Sequence, residues 1–114
     1  MKNLQHSLNL ILLLGAVFCP FSLAAEISVE DDFGNRLVLQ QPAQRIISLA
    51  PNITEVLFHI GAGEQIVGAD EYSNYPEQAK QILRVNNHAA ANYELILSLQ
   101  PDLVIAWQSG NGDK

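Results

Sequence analysis

RIISLAPNITEVLFHIGAGEQIVGA, residues 45–69, spells out a strand, a helix and a second strand with almost nothing between them. Arg45 to Ala50 is a compact apolar run without alternation, ended by Pro51, which predicts a strand buried on both faces. Asn52 followed by Glu55 three residues later is a variant of the capping box, so a helix is expected to open at Asn52. Ile53, Val56, Leu57 and Ile60 fall at i, i+3, i+4 and i+7, the spacing of a buried stripe on that helix. Gly61 and Gly63 supply its stop, and Ile66 to Ala69 forms the next short strand.

Outward from this unit the pattern continues. Asp70 to Tyr75 reads as a loop, and Pro76 opens a brief helix reaching about Ile82. Residues 84–91 are polar and small, without a period, and read as loop. Asn92 is placed to cap a third helix with apolar positions Leu95, Ile96 and Leu99. Gln100-Pro101-Asp102 ends it, and Leu103 to Trp107 is predicted as a further buried strand. On the amino-terminal side, Ile27 and Val29 alternate with polar residues, Asp31 to Asn35 makes a turn, and Arg36 to Leu39 alternates again. That is a short β-hairpin. Strands alternating with helices over short connections give an α/β fold, a parallel sheet with flanking helices. Three central strands do not complete such a sheet, so residues 26–114 are expected to form a partial, truncated lobe.

Residues 1–25 stand apart. Lys2 provides a positive start, Leu10 to Cys19 is an apolar run of ten, and Ser22 to Ala25 offers small residues for cleavage after Ala24 or Ala25. This is the layout of a secretory signal peptide and is too short for a spanning helix. Phe18 precedes Cys19, where lipoprotein signals carry Gly, Ala or Ser, which argues against a lipid anchor. The expected product is an exported monomer of about 90 residues, without cysteine and not inserted in the membrane. All twelve acidic residues lie after residue 25, against Arg36, Arg45, Lys80, Arg84 and Lys114. The net charge of that part, five minus twelve, is −7. So acidic a surface disfavours nucleic acid, whose binding rests on Lys and Arg neutralising phosphates.

Catalytic patterns are missing from the sequence. It has no Gly-x-x-x-x-Gly-Lys phosphate loop and no nucleophile with a companion base. His6, His59 and His88 share no metal-ligand spacing. The carboxylate pairs Asp31-Asp32 and Asp70-Glu71 read as solvated turn residues. A binding protein that is not an enzyme, with no resident cofactor or metal, is the expectation.

At this point the residues carry a likeness. Arg45 to Phe58, Gly61-Ala62-Gly63 and Val67-Gly68 resemble the opening of periplasmic iron-chelate and cobalamin-binding proteins, the solute-binding components of ABC importers. Tyr72-Ser73-Asn74-Tyr75-Pro76 and Leu99 to Trp107 extend the resemblance in the family's order and spacing. The Tyr-Ser-x-Tyr-Pro block, and Ile-Ala-Trp followed by Gly110-Asn111, look most like the cobalamin-binding branch. The resemblance implies a bilobal fold, of which this chain holds part of the first lobe, with ligand between the lobes and delivery to a membrane permease. Cobalamin is the cargo it implies. An iron-siderophore or haem carrier of the same fold is the alternative, and a non-functional truncated remnant is another.

In open α/β sheets ligands sit beyond the carboxyl ends of the strands, and the candidate residues follow from that rule. Tyr72 follows a strand, and its matching family position contacts cobalamin; the plainer role is packing on Pro76. Tyr75, beside the proline, reads as a packing residue. Pro51 and Asn52 open a helix whose backbone N–H groups can meet a polar group, Asn52 doubling as its cap. Trp107 ends a strand at the same rim, as pocket wall or as core. His88 lies in a loop where the cobalamin-binding branch carries an aromatic pocket residue, and an ordinary loop histidine is the alternative. Glu94, in the first turn of the third helix, suits the helix dipole. The family's corresponding glutamate pairs with an arginine of the permease, which makes Glu94 the docking candidate.

Overall fold

The computed structural model describes residues 25–87 and 89–108. Residues 1–24, nearly all of the expected signal peptide over 1–25, therefore lie outside the described residues, as do His88 and residues 109–114 with Gly110-Asn111. A hairpin of β1 (Ile27–Glu30) and β2 (Arg36–Leu39) comes first, antiparallel and in register from Ile27 opposite Leu39. Its turn is built by Asp31, whose Oδ1 accepts the amides of Phe33 and Asn35 at 2.9 and 2.7 Å. Gly34 takes the left-handed conformation, with φ of 81°, that this turn requires.

The main sheet is parallel, with strand order β5-β4-β3-β6. Its members are β3 (Ile46–Ser48), β4 (Ile66–Asp70), β5 (Arg84–Asn86) and β6 (Leu103–Ile105). Helix α1 (Pro51–His59) joins β3 to β4, and α2 (Tyr93–Ser98) joins β5 to β6. Between β4 and β5 runs a 3-10 helix, Glu77–Gln81, flanked by Pro76 and Ile82 where the sequence predicts a brief helix. Two cores form on opposite faces. Ile46, Ile66 and Ala69 pack with Leu57 of α1, while Ile47 and Val85 pack with Ile96 of α2. Alternate residues of β3 thus feed alternate faces, as the two-residue period of a strand dictates. The central strand is as buried as its sequence predicts, and the α/β class holds.

Four expectations are corrected. Residues 84–91 are not all loop, because Arg84–Asn86 forms the edge strand β5 against β4. One apolar residue in three gives no periodic signal, and pairing with β4 makes the strand. Helix α1 starts at Pro51, with Ala50 as its extended N-cap and no side-chain cap, so Asn52 does not cap it. Proline fixes φ near the helical value and lacks the N–H that a first helical position leaves unpaired, so it claims that position. The stripe of α1 is also displaced. Thr54 and Leu57 are buried and Ile53 and Phe58 partly so, while Val56 and Ile60 are 59% and 71% exposed. A threonine holds the centre of the inward face because its hydroxyl is fully bonded there. Finally, β6 is a half-covered edge, not a buried strand: it pairs only with β3 among the described strands, and Val104 is exposed.

The helix stops follow the sequence. Gly61 adopts φ of 82°, and its amide and that of Ala62 donate to Phe58 and Leu57 carbonyls at 3.1 and 2.8 Å. This is the Schellman closure. Asn92 caps α2 as expected, its Oδ1 accepting the Leu95 amide at 3.0 Å. Among the described residues no helix is long and apolar enough to cross a membrane.

Candidate functional site

Because β4, β3 and β6 are parallel neighbours, the segments that follow them leave at one end of the sheet. Tyr72 lies two residues after β4, Pro51 three after β3, and Trp107 two after β6. The order of connection reverses at β3. From there the chain moves to β4 and β5 on one side, then returns to β6 on the other, with α1 and α2 on opposite faces. Such a switch point opens a crevice beyond the carboxyl ends of the strands.

The Tyr72 loop is held from three directions. Asp70, buried at the end of β4, accepts the Tyr72 amide on Oδ1 at 2.9 Å and the Asn86 side-chain amide on Oδ2 at 2.8 Å. Arg84 donates to the Asp70 and Ser73 carbonyls at 3.2 and 2.8 Å, and to Asn74 Oδ1 at 3.2 Å. Ser73 turns inward, with its hydroxyl 2.8 Å from that of Thr54, which lies 2.8 Å from that of Ser48. All three hydroxyl residues are buried. Asp70 is thus a structural anchor and not the solvated turn residue its loop-like context predicts. Sequence reading also missed Ser73, Thr54 and Arg84, since nothing local marks a short polar residue as a tertiary bond partner. The one available signal is a run of hydroxyl and charged residues, Asp70 to Asn74, directly after a buried strand.

With its backbone anchored, the Tyr72 ring stands 58% exposed, and Tyr75, joined to Pro76 by a cis peptide, is exposed beside it. The outward rings and inward serine divide the loop into a presented surface and a buried root. Pro51 and Asn52 form the next part of the rim. With Pro51 first in the helix and no side-chain cap, the first-turn amides after it lack intrahelical acceptors. Such amides attract polar or anionic atoms.

Trp107 is 51% exposed at the end of β6. It lines a groove of about 670 Å³ with Val29, Phe33 and Leu37 of the hairpin and Val104 of β6. Tyr72, Pro51 and Asn52 do not line this groove. The fold therefore puts the three elements at one end of the sheet but gathers only Trp107 with the hairpin. Glu94 is exposed in the first turn of α2, two residues beyond its cap. His59 is exposed on α1, with Nδ1 3.0 Å from the Glu55 carbonyl oxygen.

Comparison with known proteins gives a consistent picture. A family model described as periplasmic binding protein matches residues 46–114. The vitamin B12-binding protein of Vibrio cholerae serotype O1 is 54% identical over 70 residues, 61% of this chain and 25% of that protein. The crystal structure of the periplasmic vitamin B12 binding protein of Vibrio cholerae superposes with a TM-score of 0.60 at 54% identity. It covers 62% of this chain and 28% of that one. The periplasmic heme-binding protein of Roseiflexus sp. RS-1, in apo form, gives 0.56 at 38% identity, over 62% of this chain and 27% of that one. The chain thus spans about a quarter of the length of the relatives it matches.

Proposed function

The chain belongs to the periplasmic binding protein family, and from that premise we propose that it captures a corrinoid outside the cytoplasmic membrane and presents it to an ABC importer. One observation carries this reading: Tyr72, the Pro51–Asn52 corner and Trp107 leave three adjacent parallel strands at the same end. Strands two apart in a sheet lie about 10 Å from one another. That span suits a flat macrocycle better than a small ion. An aromatic ring meets the macrocycle face through its π surface while the tyrosine hydroxyl stays in water. Free amides at the start of α1 suit the polar amide arms around a corrin, which carry carbonyl acceptors. In this reading Tyr72 and Trp107 supply apolar contact, and Pro51 and Asn52 shape the polar corner. His88 is included in this reading from its sequence position alone. Residues 1–25 direct export.

Glu94 is assigned to the permease. An exposed carboxylate in the first turn of a helix offers two oxygens to a partner arginine without disturbing the cargo rim. Haem is the second reading, supported by the likeness to a heme-binding structure at 38% identity. Since this chain spans about a quarter of its relatives' length, the remaining contacts of a full clamp would come from elsewhere.

Absorbance titration of the full chain with cyanocobalamin and, separately, with hemin tests the assignment. A cyanocobalamin signal that is lost on Tyr72→Ala and on Trp107→Ala supports the corrinoid reading. A hemin response without a cyanocobalamin response transfers it to haem. Binding of either that is indifferent to both substitutions removes the rim as the site.

A further inference from the structure

The three buried hydroxyls beneath the rim form one connected network. Ser48 Oγ lies 3.2 Å from the Ala50 carbonyl and 2.8 Å from Thr54 Oγ1, which lies 2.8 Å from Ser73 Oγ. Each hydroxyl has one proton to give. With Ser73 donating to Thr54, Thr54 can donate either to Ser48 or to the Ala50 carbonyl at 3.4 Å, and Ser48 to the same carbonyl, so every proton finds an acceptor. In the opposite sense the Ser73 proton would need an acceptor beyond this chain of bonds. The relay therefore joins the Tyr72 loop, through α1, to the end of β3. It terminates on the residue that caps α1, whose carbonyl also accepts the Thr54 amide at 3.1 Å. The residues it joins are 48, 54 and 73, on three separate elements, and they are 0–1% exposed.

From this geometry we infer that the Ser73–Thr54–Ser48 relay is a latch that holds the Tyr72 loop at one fixed position relative to the Pro51–Asn52 corner. Ser73 and Thr54 are then positioning residues for the cargo surface: they touch no ligand but set the distance between two parts that do. The site is closed to bulk solvent, so a hydroxyl left without its partner there is costly. The cargo consequence rests on the proposed binding function, whereas the latch itself does not.

Ser73→Ala is the primary test, because it leaves Thr54 and Ser48 bonded to each other and to the Ala50 carbonyl, and so spares the core. Hydrogen exchange of the full chain reads the latch directly. The amides of Tyr72, Ser73 and Asn74 are all hydrogen-bonded within the loop, and those of Ile47 and Val85 belong to the core. Ser73→Ala is expected to speed exchange in the loop at least tenfold and to leave the core amides unchanged. Thr54→Val should do the same more strongly, and Thr54→Ser should restore wild-type protection in the loop. Unchanged loop exchange, or equal acceleration in loop and core, overturns the latch. In the same samples, cyanocobalamin affinity should fall about tenfold in Ser73→Ala and recover in Thr54→Ser relative to Thr54→Val. Wild-type affinity in Ser73→Ala overturns the positioning role. Absence of binding by the unaltered chain shows that this rim alone does not hold cargo and removes the positioning role for this chain, with the exchange data still deciding the latch.

Discussion

The Arg84 guanidinium donates to the main-chain carbonyl of Ser73 at 2.8 Å, tying the edge strand β5 to the loop that follows its neighbour β4. The same group reaches the Asp70 carbonyl, so one side chain holds both ends of the short segment carrying Tyr72. A surface loop is usually the least ordered part of an α/β domain. Here it is bonded from the sheet side by Arg84 and from the helix side by Thr54.

Replacing Arg84 by Gln should therefore weaken the fold as well as the rim. Charge-assisted bonds to two carbonyls and an amide oxygen are lost, for a cost of about 2 kcal/mol. Urea unfolding should show a lower midpoint with an unchanged slope, because the surface exposed on unfolding is the same.

Gly68 marks the tightest point of β4. A methyl group there would lie 2.6 Å from a Val85 methyl and 2.7 Å from the Ile47 terminal methyl, both in the core on the α2 face. Gly68→Ala should destabilise by about 1–3 kcal/mol through overpacking. Adding Ile47→Val removes one of the colliding methyls and should recover part of the loss, and thermal melts of the single and double variants would show it.

Asp102 gives the fold a dependence on acid. Its two carboxylate oxygens accept the amides of Gln44 and Arg45 at 2.8 and 2.9 Å, which fastens the entry to β3 beside the entry to β6. These two bonds, the Gln44 amide first, hold its carboxyl below the ordinary aspartate range, with a smaller contribution from the Arg45 charge. The folded pKa is depressed, so the stabilisation is complete above the unfolded value of about 3.9. It disappears as pH falls through the lower folded value. Asp102→Asn should be less stable than wild type at neutral pH, and the difference should shrink steadily below about pH 4. A constant gap down to strong acid, followed by circular dichroism, would contradict this account.

Glu94→Ala should separate docking from capture. The exposed carboxylate contributes no more than about 1 kcal/mol to α2 through the helix dipole, and Asn92 still caps the helix. Cargo titrations should match wild type while association with the permease weakens. Equal uptake by cells carrying either form removes Glu94 from the docking surface.

Local rules were enough wherever a residue acts on its own neighbours. The Asp31 turn, the Gly61 stop, the Asn92 cap and the doubly buried β3 are all legible, because dihedral preference, capping and burial are set within a few residues. The parallel α/β class followed from these, as did the exit of Tyr72, Pro51 and Trp107 beyond strand ends. Only the tertiary structure made Arg84–Asn86 a strand, since its partners are Ala69 and Asp70 of β4. It also turned Thr54 inward in place of Val56 and Ile60, because a buried hydroxyl is tolerated only where Ser48 and Ser73 meet it. Apolar spacing ranks faces by greasiness, whereas the fold ranks them by whether every polar atom on them finds a partner.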